Sequence, residues 1–478
     1  MLAAVAAVLA TTGLPAFVAL IGVSIVFAAI GAVNGTIEVS LLTALPSRIV
    51  GLLESDLLQA LPLYVLMGVM LDRLPLAERI FRSTADAIRR TPAAPQISAM
   101  LLGALLAPMN GSVGASVSAL SRIVLPRLLV RGAGPERSLA LTCAAATLGV
   151  VVPPSLVLIL LGDAMMRAHT EAANAAGRYE RIINTQDLFH GALPPAGIYF
   201  ILCLALAWWT GRHIPPDTPD TLRPAWGERL TALAAVAFVG ALLTGVAIGR
   251  FYAVEAAATG ACGLALFGLA SRTLTRQVLS SALVEAMAVS GALFALFVGA
   301  TTFTLIFRSF GTDRLLDETV KGIPGGSGMA VAAVLLMVGL AGLVLDAFEI
   351  IFVIIPIVMP PLLVRATDTV WVAVMTMLTL QLSFLIPPFG YAVMVGRARL
   401  KMPASLRALA VALLPFLTAE AAVLVATAAM PGLVHVLTQD TTLGATDGTM
   451  LSDDEARERM QQIQAPESEP EPETTDDP

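Results

Sequence analysis

The sequence predicts an all-α, polytopic membrane protein built from two inverted-topology repeats, each carrying a re-entrant helical hairpin. Three observations support this. Of 478 residues, 57% are hydrophobic and 13% charged, and the mean hydropathy is +0.82. So little polar surface does not coat a soluble globule of this size, and lipid must be the solvent. Second, the apolar stretch from Met100 to Pro126 is interrupted by Asn110-Gly111-Ser112 and Gly114. Unpartnered backbone in hydrocarbon costs several kcal/mol per group, so such a break survives only packed in protein or lining a wet cavity. Third, the arrangement recurs: apolar from Met329 to Leu345, then Asp346-Ala347-Phe348-Glu349, then apolar from Ile350 to Val364. A Pro-Pro pair follows each break at matching distance, 42 positions from Gly111 to Pro153 and 41 from Asp346 to Pro387.

The elements follow in order. Met1 to Val33 is apolar with no basic start, which reads as a first span and not as a cleaved signal peptide. At about 20 apolar residues per crossing, nine segments cross: 14–33, 57–71, 139–161, 193–209, 230–248, 253–269, 282–307, 370–395 and 406–429. The two interrupted stretches, each about 35 residues, suit a pair of half-helices of roughly 15 residues better than two full crossings. Five crossings lie between them, an odd number, so the hairpins enter from opposite faces. Cytoplasmic loops are enriched in Lys and Arg. Placing the N-terminus inside puts Arg73, Arg79, Arg82, Arg122, Arg127, Arg137, Arg397 and Arg407 inside with most of the 29 basic residues. The first hairpin then enters from the cytoplasm, the second and the C-terminus from outside.

Residues 74–90 alternate apolar Leu76, Ile80, Phe81 and Ile88 with Arg79, Arg82, Asp86 and Arg89 and stop at Pro92, as expected of a helix in the cytoplasmic headgroup layer. Residues 163–190 read as a hydrophilic insert, helical to Ala176 and facing outside. The end of the chain, rich in Pro and Glu, is expected to be disordered. The division is therefore 1–94, N-terminal scaffold spans with the interfacial helix; 95–161, first hairpin and Pro-Pro helix; 162–192, polar insert; 193–307, linking spans; 308–400, second hairpin and Pro-Pro helix; 401–435, last span; 436–478, acidic tail.

Matched interruptions in corresponding halves point to a solute-binding site at the repeat interface. At the first, Asn110, Ser112 and Ser116 offer side-chain hydrogen-bonding groups to a small-molecule substrate, and Gly111 and Gly114 let the backbone approach it. The alternative is a small-residue helix contact. At the second, Asp346 and Glu349 stand three apart on one helical face, either as substrate or ion ligands or, for Asp346, as the cap of the following half-helix. Prolines remove N–H donors and free carbonyls about one turn earlier, those of Thr147 to Gly149 and of Gln381 to Ser383. With Gly111, Ser112, Gly114 and Asp346, the positions Thr147, Gly149, Gln381 and Ser383 form a candidate oxygen set for Na⁺. Among other intramembrane carboxylates, Glu255 reads as a structural pair with Arg250, and Glu285 and Glu420 lie in crossing helices. Cys143, Cys203 and Cys262 have no metal or disulfide spacing. His169, His190, His213 and His435 are scattered in loops, and neither a Walker motif nor a nucleophile elbow is present. The reading is not an enzyme and not a nucleic-acid binder.

The run from Asn110 to Gly132 with Thr147-LGVVVPPS-Ser155, and the run from Leu345 to Pro360 with Leu385-IPPFG-Gly390, together resemble the large membrane subunit of TRAP transporters, the tripartite ATP-independent periplasmic transporters of DctM type. The resemblance covers most of 1–430. It implies an elevator-type, Na⁺-driven permease in the bacterial inner membrane that imports a small organic acid or similar solute. A periplasmic substrate-binding protein and a small four-helix membrane subunit are the implied partners. Many members carry Pro after the hairpin Asp; here Ala347-Phe348-Glu349 follows, similar to the branch labelled as mannitol or chloroaromatic transporters. A stand-alone Na⁺/carboxylate symporter with the same inverted hairpins, and a scaffolding subunit without a substrate site, are the competing readings.

Overall fold

The computed structural model describes residues 1–37, 40, 43–54, 56–110, 112–178, 181–212, 224–400 and 404–437. Gly111 and the acidic tail from 438 onward lie outside the described residues. Those from Met1 to Leu437 belong to one compact unit, and among them every regular element is helical. Among the described residues seven helices are long and apolar enough to cross a membrane, and outward faces among them carry large apolar side chains such as Ile25, Val26, Leu233, Leu266, Val284 and Val411. A helix apolar outside as well as inside has lipid as its solvent.

Local chemistry sets the boundaries. Asn184 and Asp187 cap Thr185–Gly211 reciprocally, through Oδ1 to the Asp187 N–H at 2.8 Å and Oδ2 to the Asn184 N–H at 3.0 Å. Ser155 Oγ accepts from the Leu158 N–H at 3.1 Å and opens Leu156–Ala176, which Gly177 closes at φ +62°.

Several expectations are corrected. Met1 to Val33 is not one span: Gly13, left-handed at φ +63°, and Pro15 separate Leu2–Thr12 from Ala16–Val33. The segment 139–161 is two helices, Pro135–Val151 and Leu156–Ala176, bent by 40°, and 370–395 is Thr369–Leu385 followed by Tyr391–Arg399. Both breaks are at Pro-Pro. Within 162–192 the helix Leu156–Ala176 runs through Asp163 and ends at Ala176, as expected, and Thr185–Gly211 starts before His190. Two polar groups of this segment are buried: Asp163 pairs with Arg167 at 3.0 Å, and His169, on a helix and not in a loop, has Nδ1 2.9 Å from Thr369 Oγ1. The amphipathic helix Leu76–Ala87 buries Leu76, Ala77, Ile80 and Phe81 against Trp226–Ala247 and Ala94–Leu106, so its apolar face meets protein where lipid headgroups were expected. Arg229 and Asp86 (2.9 Å) pair across that contact. Glu255 accepts from the Tyr252 N–H at 3.0 Å, capping its own helix, where a pair with Arg250 was expected.

The two interrupted stretches are organised alike. The first is Ala94–Leu106, a short turn Ala107–Met109, and Val113–Ile123; the second is Gly326–Ala341, a break, and Ala347–Arg365. Ala347–Arg365 has 19 residues, longer than the expected half-helix, because the Asp346 cap starts it just past the break and its π-helical stretch Ile350–Ile354 continues without a stop. The first arm of each stretch packs on its own Pro-Pro helix, Ala94–Leu106 on Pro135–Val151 and Gly326–Ala341 on Thr369–Leu385. The second arms also reach across: Val113–Ile123 packs on Tyr391–Arg399 as well as on its own Pro135–Val151, and the Ala347–Arg365 helix packs on Leu156–Ala176.

Candidate functional site

At the first interruption, Ser112 is extended (φ −138°, ψ 156°) and its Oγ accepts from the Ala115 N–H at 3.1 Å, so it caps Val113–Ile123. Ser116 Oγ is buried in the turn, 3.0 Å from the Ser112 carbonyl and 3.3 Å from that of Ala107. Asn110 Nδ2 is buried without a partner. The turn rests on the first Pro-Pro helix: a Cβ on Gly149 would lie 2.5 Å from both the carbonyl carbon and oxygen of Ala107. Only glycine allows that approach.

The second interruption repeats the contact. Gly342 lies against Ser383 of the second Pro-Pro helix, with Ser383 Cβ 3.1 Å from where a Cβ would stand. Asp346 caps the helix behind it, Oδ1 accepting from the Ala347 N–H at 2.8 Å, and Glu349 Oε2 accepts from the Asp346 N–H at 3.2 Å. The two carboxylates form a reciprocal capping box. The capping reading of Asp346 is thus realised in the structure. The cap uses only part of the acceptor capacity of a carboxylate, so it does not exclude a further role.

The oxygen set divides into groups that are engaged and groups that are open. Leu148 and Ser383 carbonyls, expected free, accept from the N–H of Val152 (2.9 Å), in an ordinary helical bond, and of Ile386 (3.2 Å), in a tighter turn three residues on. Pro153 offers no N–H to the Gly149 carbonyl. Thr147 Oγ1 donates to the Ala144 carbonyl at 3.0 Å and Ser383 Oγ to that of Leu380 at 2.7 Å. A hydroxyl has one hydrogen and two lone pairs, so both oxygens keep acceptor capacity. Gln381 is 0% exposed, and neither Oε1 nor Nε2 has a partner. These neutral oxygens fit a hard monovalent cation better than a transition metal. Among the described residues no cluster of three His, Cys, Asp or Glu is present.

Tyr391 connects the halves, and sequence reasoning missed it. A Cβ on Gly114 would lie 3.0 Å from Tyr391 Oη, and Asp346 and Glu349 are ionisable neighbours of Tyr391. It therefore stands between the two interruptions. Ser112 and Asp346 make no direct bond. The signal available was Pro387-Pro388-Phe389-Gly390-Tyr391, a phenol just past a helix break in an apolar run. Elsewhere, Glu285 pairs with Arg73 at 2.5 Å. Glu420 is 0% exposed with both oxygens unpartnered, and Tyr199 and Cys203 are its ionisable neighbours. Arg308 holds Glu171 through two bonds, 2.6 and 3.1 Å, and the Pro356 carbonyl at 2.8 Å.

The chain was compared with known proteins. The C4-dicarboxylate TRAP transporter large permease protein DctM of Rhodobacter capsulatus is 23% identical over 379 residues, which are 77% of this chain and 84% of that one. The 2,3-diketo-L-gulonate TRAP transporter large permease protein YiaN of Escherichia coli is 20% identical over 350 residues, 72% of this chain and 78% of that one. Among solved structures, the YdaH transporter of Alcanivorax borkumensis superposes with a TM-score of 0.61 at 14% identity, covering 87% of this chain and 98% of that one. That likeness concerns the fold alone. Such relatives, with seven or more apolar helices, make this a multi-pass protein of the bacterial inner membrane. Residues 3–433 match the family described as the tripartite ATP-independent periplasmic transporter, DctM component, and the chain belongs to that family.

Proposed function

We propose that this permease subunit imports a small organic acid driven by Na⁺, receiving its solute from a periplasmic binding protein and working beside a small four-helix membrane subunit. The observation that carries the reading is the paired contact of each interruption with its Pro-Pro helix, Ala107 on Gly149 and Gly342 on Ser383. It gathers Thr147, Gly149, Gln381 and Ser383 oxygens at two equivalent places. Asp346, Glu349, Asn110, Ser112, Ser116 and Tyr391 line the region between. When bound, Na⁺ would supply the driving force; the protein's own share is to hold neutral oxygens open for it. Relatives named for C4-dicarboxylates, sialic acid and isethionate support an organic anion as solute. The isethionate relative, named DctMQ as one permease, supports the two-subunit membrane arrangement.

In this reading the interruptions are re-entrant hairpins. With their Pro-Pro helices, from Ala94 to Ala176 and from Thr312 to Arg399, they form the moving body of an elevator, and the remaining spans form its scaffold. Reconstitution with both partners, followed by an imposed Na⁺ or proton gradient, tests the coupling. Uptake is expected with Na⁺; equal uptake from a proton gradient in Na⁺-free buffer overturns it.

A further inference from the structure

A cavity of 830 Å³ opens away from this region, where the N-terminal ends of Ala94–Leu106, Pro135–Val151 and Leu406–Ala429 meet the C-terminal end of Thr185–Gly211. Its floor holds Gln96, which is 4% exposed and has both Oε1 and Nε2 unpartnered. Gly211 presses against it, since a Cβ there would lie 2.9 Å from Gln96 Cδ. Arg137 and Arg407 reach the rim and make no ion pair or hydrogen bond among the described residues. Glu136, the one acid among the described rim residues, accepts from the Ser405 N–H at 3.0 Å. Two helix starts, at Pro135 and Leu406, add positive potential.

The remaining wall is apolar: Leu141, Leu206, Val411 and Phe416. It faces outward, for Val411 is 63% and Trp209 56% exposed, and tryptophans at helix ends mark the headgroup level of a membrane. A free anion would use the arginines and leave that wall in contact with lipid. A ligand with an anionic head and an acyl chain uses both. We propose that this cavity binds one anionic phospholipid, its phosphate between Arg137 and Arg407, a polar headgroup atom on Gln96, and a chain along Leu206 and Val411. Basic pockets between membrane helices hold anionic headgroups by the same physics.

The full chain, delipidated in dodecyl maltoside, would be titrated with dioleoylphosphatidylglycerol and, separately, dioleoylphosphatidylcholine, and bound lipid read by native mass spectrometry. One phosphatidylglycerol is expected to bind about tenfold more tightly than phosphatidylcholine. Arg137→Gln/Arg407→Gln should abolish the preference, Arg137→Lys/Arg407→Lys should keep it, and Gln96→Leu should weaken it severalfold. Equal retention of the two lipids, an unchanged preference in the Gln pair, or loss in the Lys pair as complete as in the Gln pair would overturn the proposal. Displacement of phosphatidylglycerol by millimolar inorganic phosphate would also overturn it, identifying a site for free anions.

Discussion

Replacing Gly149 by alanine probes the contact on which the first half of the site is built. The new Cβ would stand 2.5 Å from the Ala107 carbonyl carbon and oxygen, whereas carbon atoms rest at about 3.5–4.0 Å. The turn must therefore withdraw by about 1 Å, and backbone of a packed helix does not yield as a side-chain end does. Overpacking of this kind costs about 1–3 kcal/mol. Alanine also favours helix over glycine by about 1 kcal/mol, which blurs the reading of one variant alone. Gly291→Ala supplies the control, because that helical glycine has nothing within 4 Å of its added carbon. Subtracting the two leaves the steric part, about 1–3 kcal/mol in favour of the control. Unfolding free energies in mixed detergent micelles measure the difference, and Na⁺ titration of uptake should show a raised half-saturation for Gly149→Ala only. Two variants that agree within about 0.5 kcal/mol, the ordinary scatter of neutral substitutions, would refute the contact.

Three further outcomes are expected. Asp346→Asn keeps a capping side chain and so keeps the melting temperature, while uptake falls by an order of magnitude or more if the charge serves the site; normal uptake would leave Asp346 as a cap only. Gln381→Leu removes a buried unpartnered amide, which should raise stability by about 1–3 kcal/mol while raising the Na⁺ concentration for half-maximal uptake; lowered stability with unchanged Na⁺ dependence would show that the amide has a protein partner. Gly114→Ala should destabilise, and Tyr391→Phe in the same chain should restore part of the loss, with a coupling of about 0.5–3 kcal/mol in a double-mutant cycle; additive effects would separate Gly114 from the Tyr391 hydroxyl.

The paired interruptions were legible because their marks are compositional. Asn110-Gly111-Ser112, Asp346 and the two Pro-Pro pairs break an apolar pattern, and a break in hydrocarbon is conspicuous whatever surrounds it. Burial was less legible. Leu76, Ile80 and Phe81 form an apolar stripe that suits lipid as well as protein, and only the facing Trp226–Ala247 helix decides the matter. His169 read as a loop residue because the partner of its Nδ1, Thr369, is 200 residues away along the chain. Tyr391 escaped for the same reason. Its phenol has meaning beside Gly114, and no spacing within one half reveals a contact made across both.

That exchange of contacts has a mechanical consequence. Were each half self-contained, no arm of one would touch the other, and the halves would meet at a plane along which they could slide. Instead Val113–Ile123, besides packing on its own Pro135–Val151, rests on Tyr391–Arg399, with the Cys143 thiol 3.4 Å from the Ala392 carbonyl, and Leu156–Ala176 rests on Ala347–Arg365. Close-packed cores deform little. Separating the halves would require breaking two interdigitated contacts at once, so the two interruptions keep a fixed spacing. Arg308 then acts at one point on a rigid object, through Glu171 of the first half and the Pro356 carbonyl of the second. The long helix Arg276–Ser309 that carries Arg308 also packs on Ala16–Val33 and Asp56–Arg73. The arginine thus ties Leu156–Ala176 and Ala347–Arg365 to the helix that packs on those spans, beside packing contacts such as Phe297 on Phe352 and Thr185–Gly211 on Ala94–Leu106.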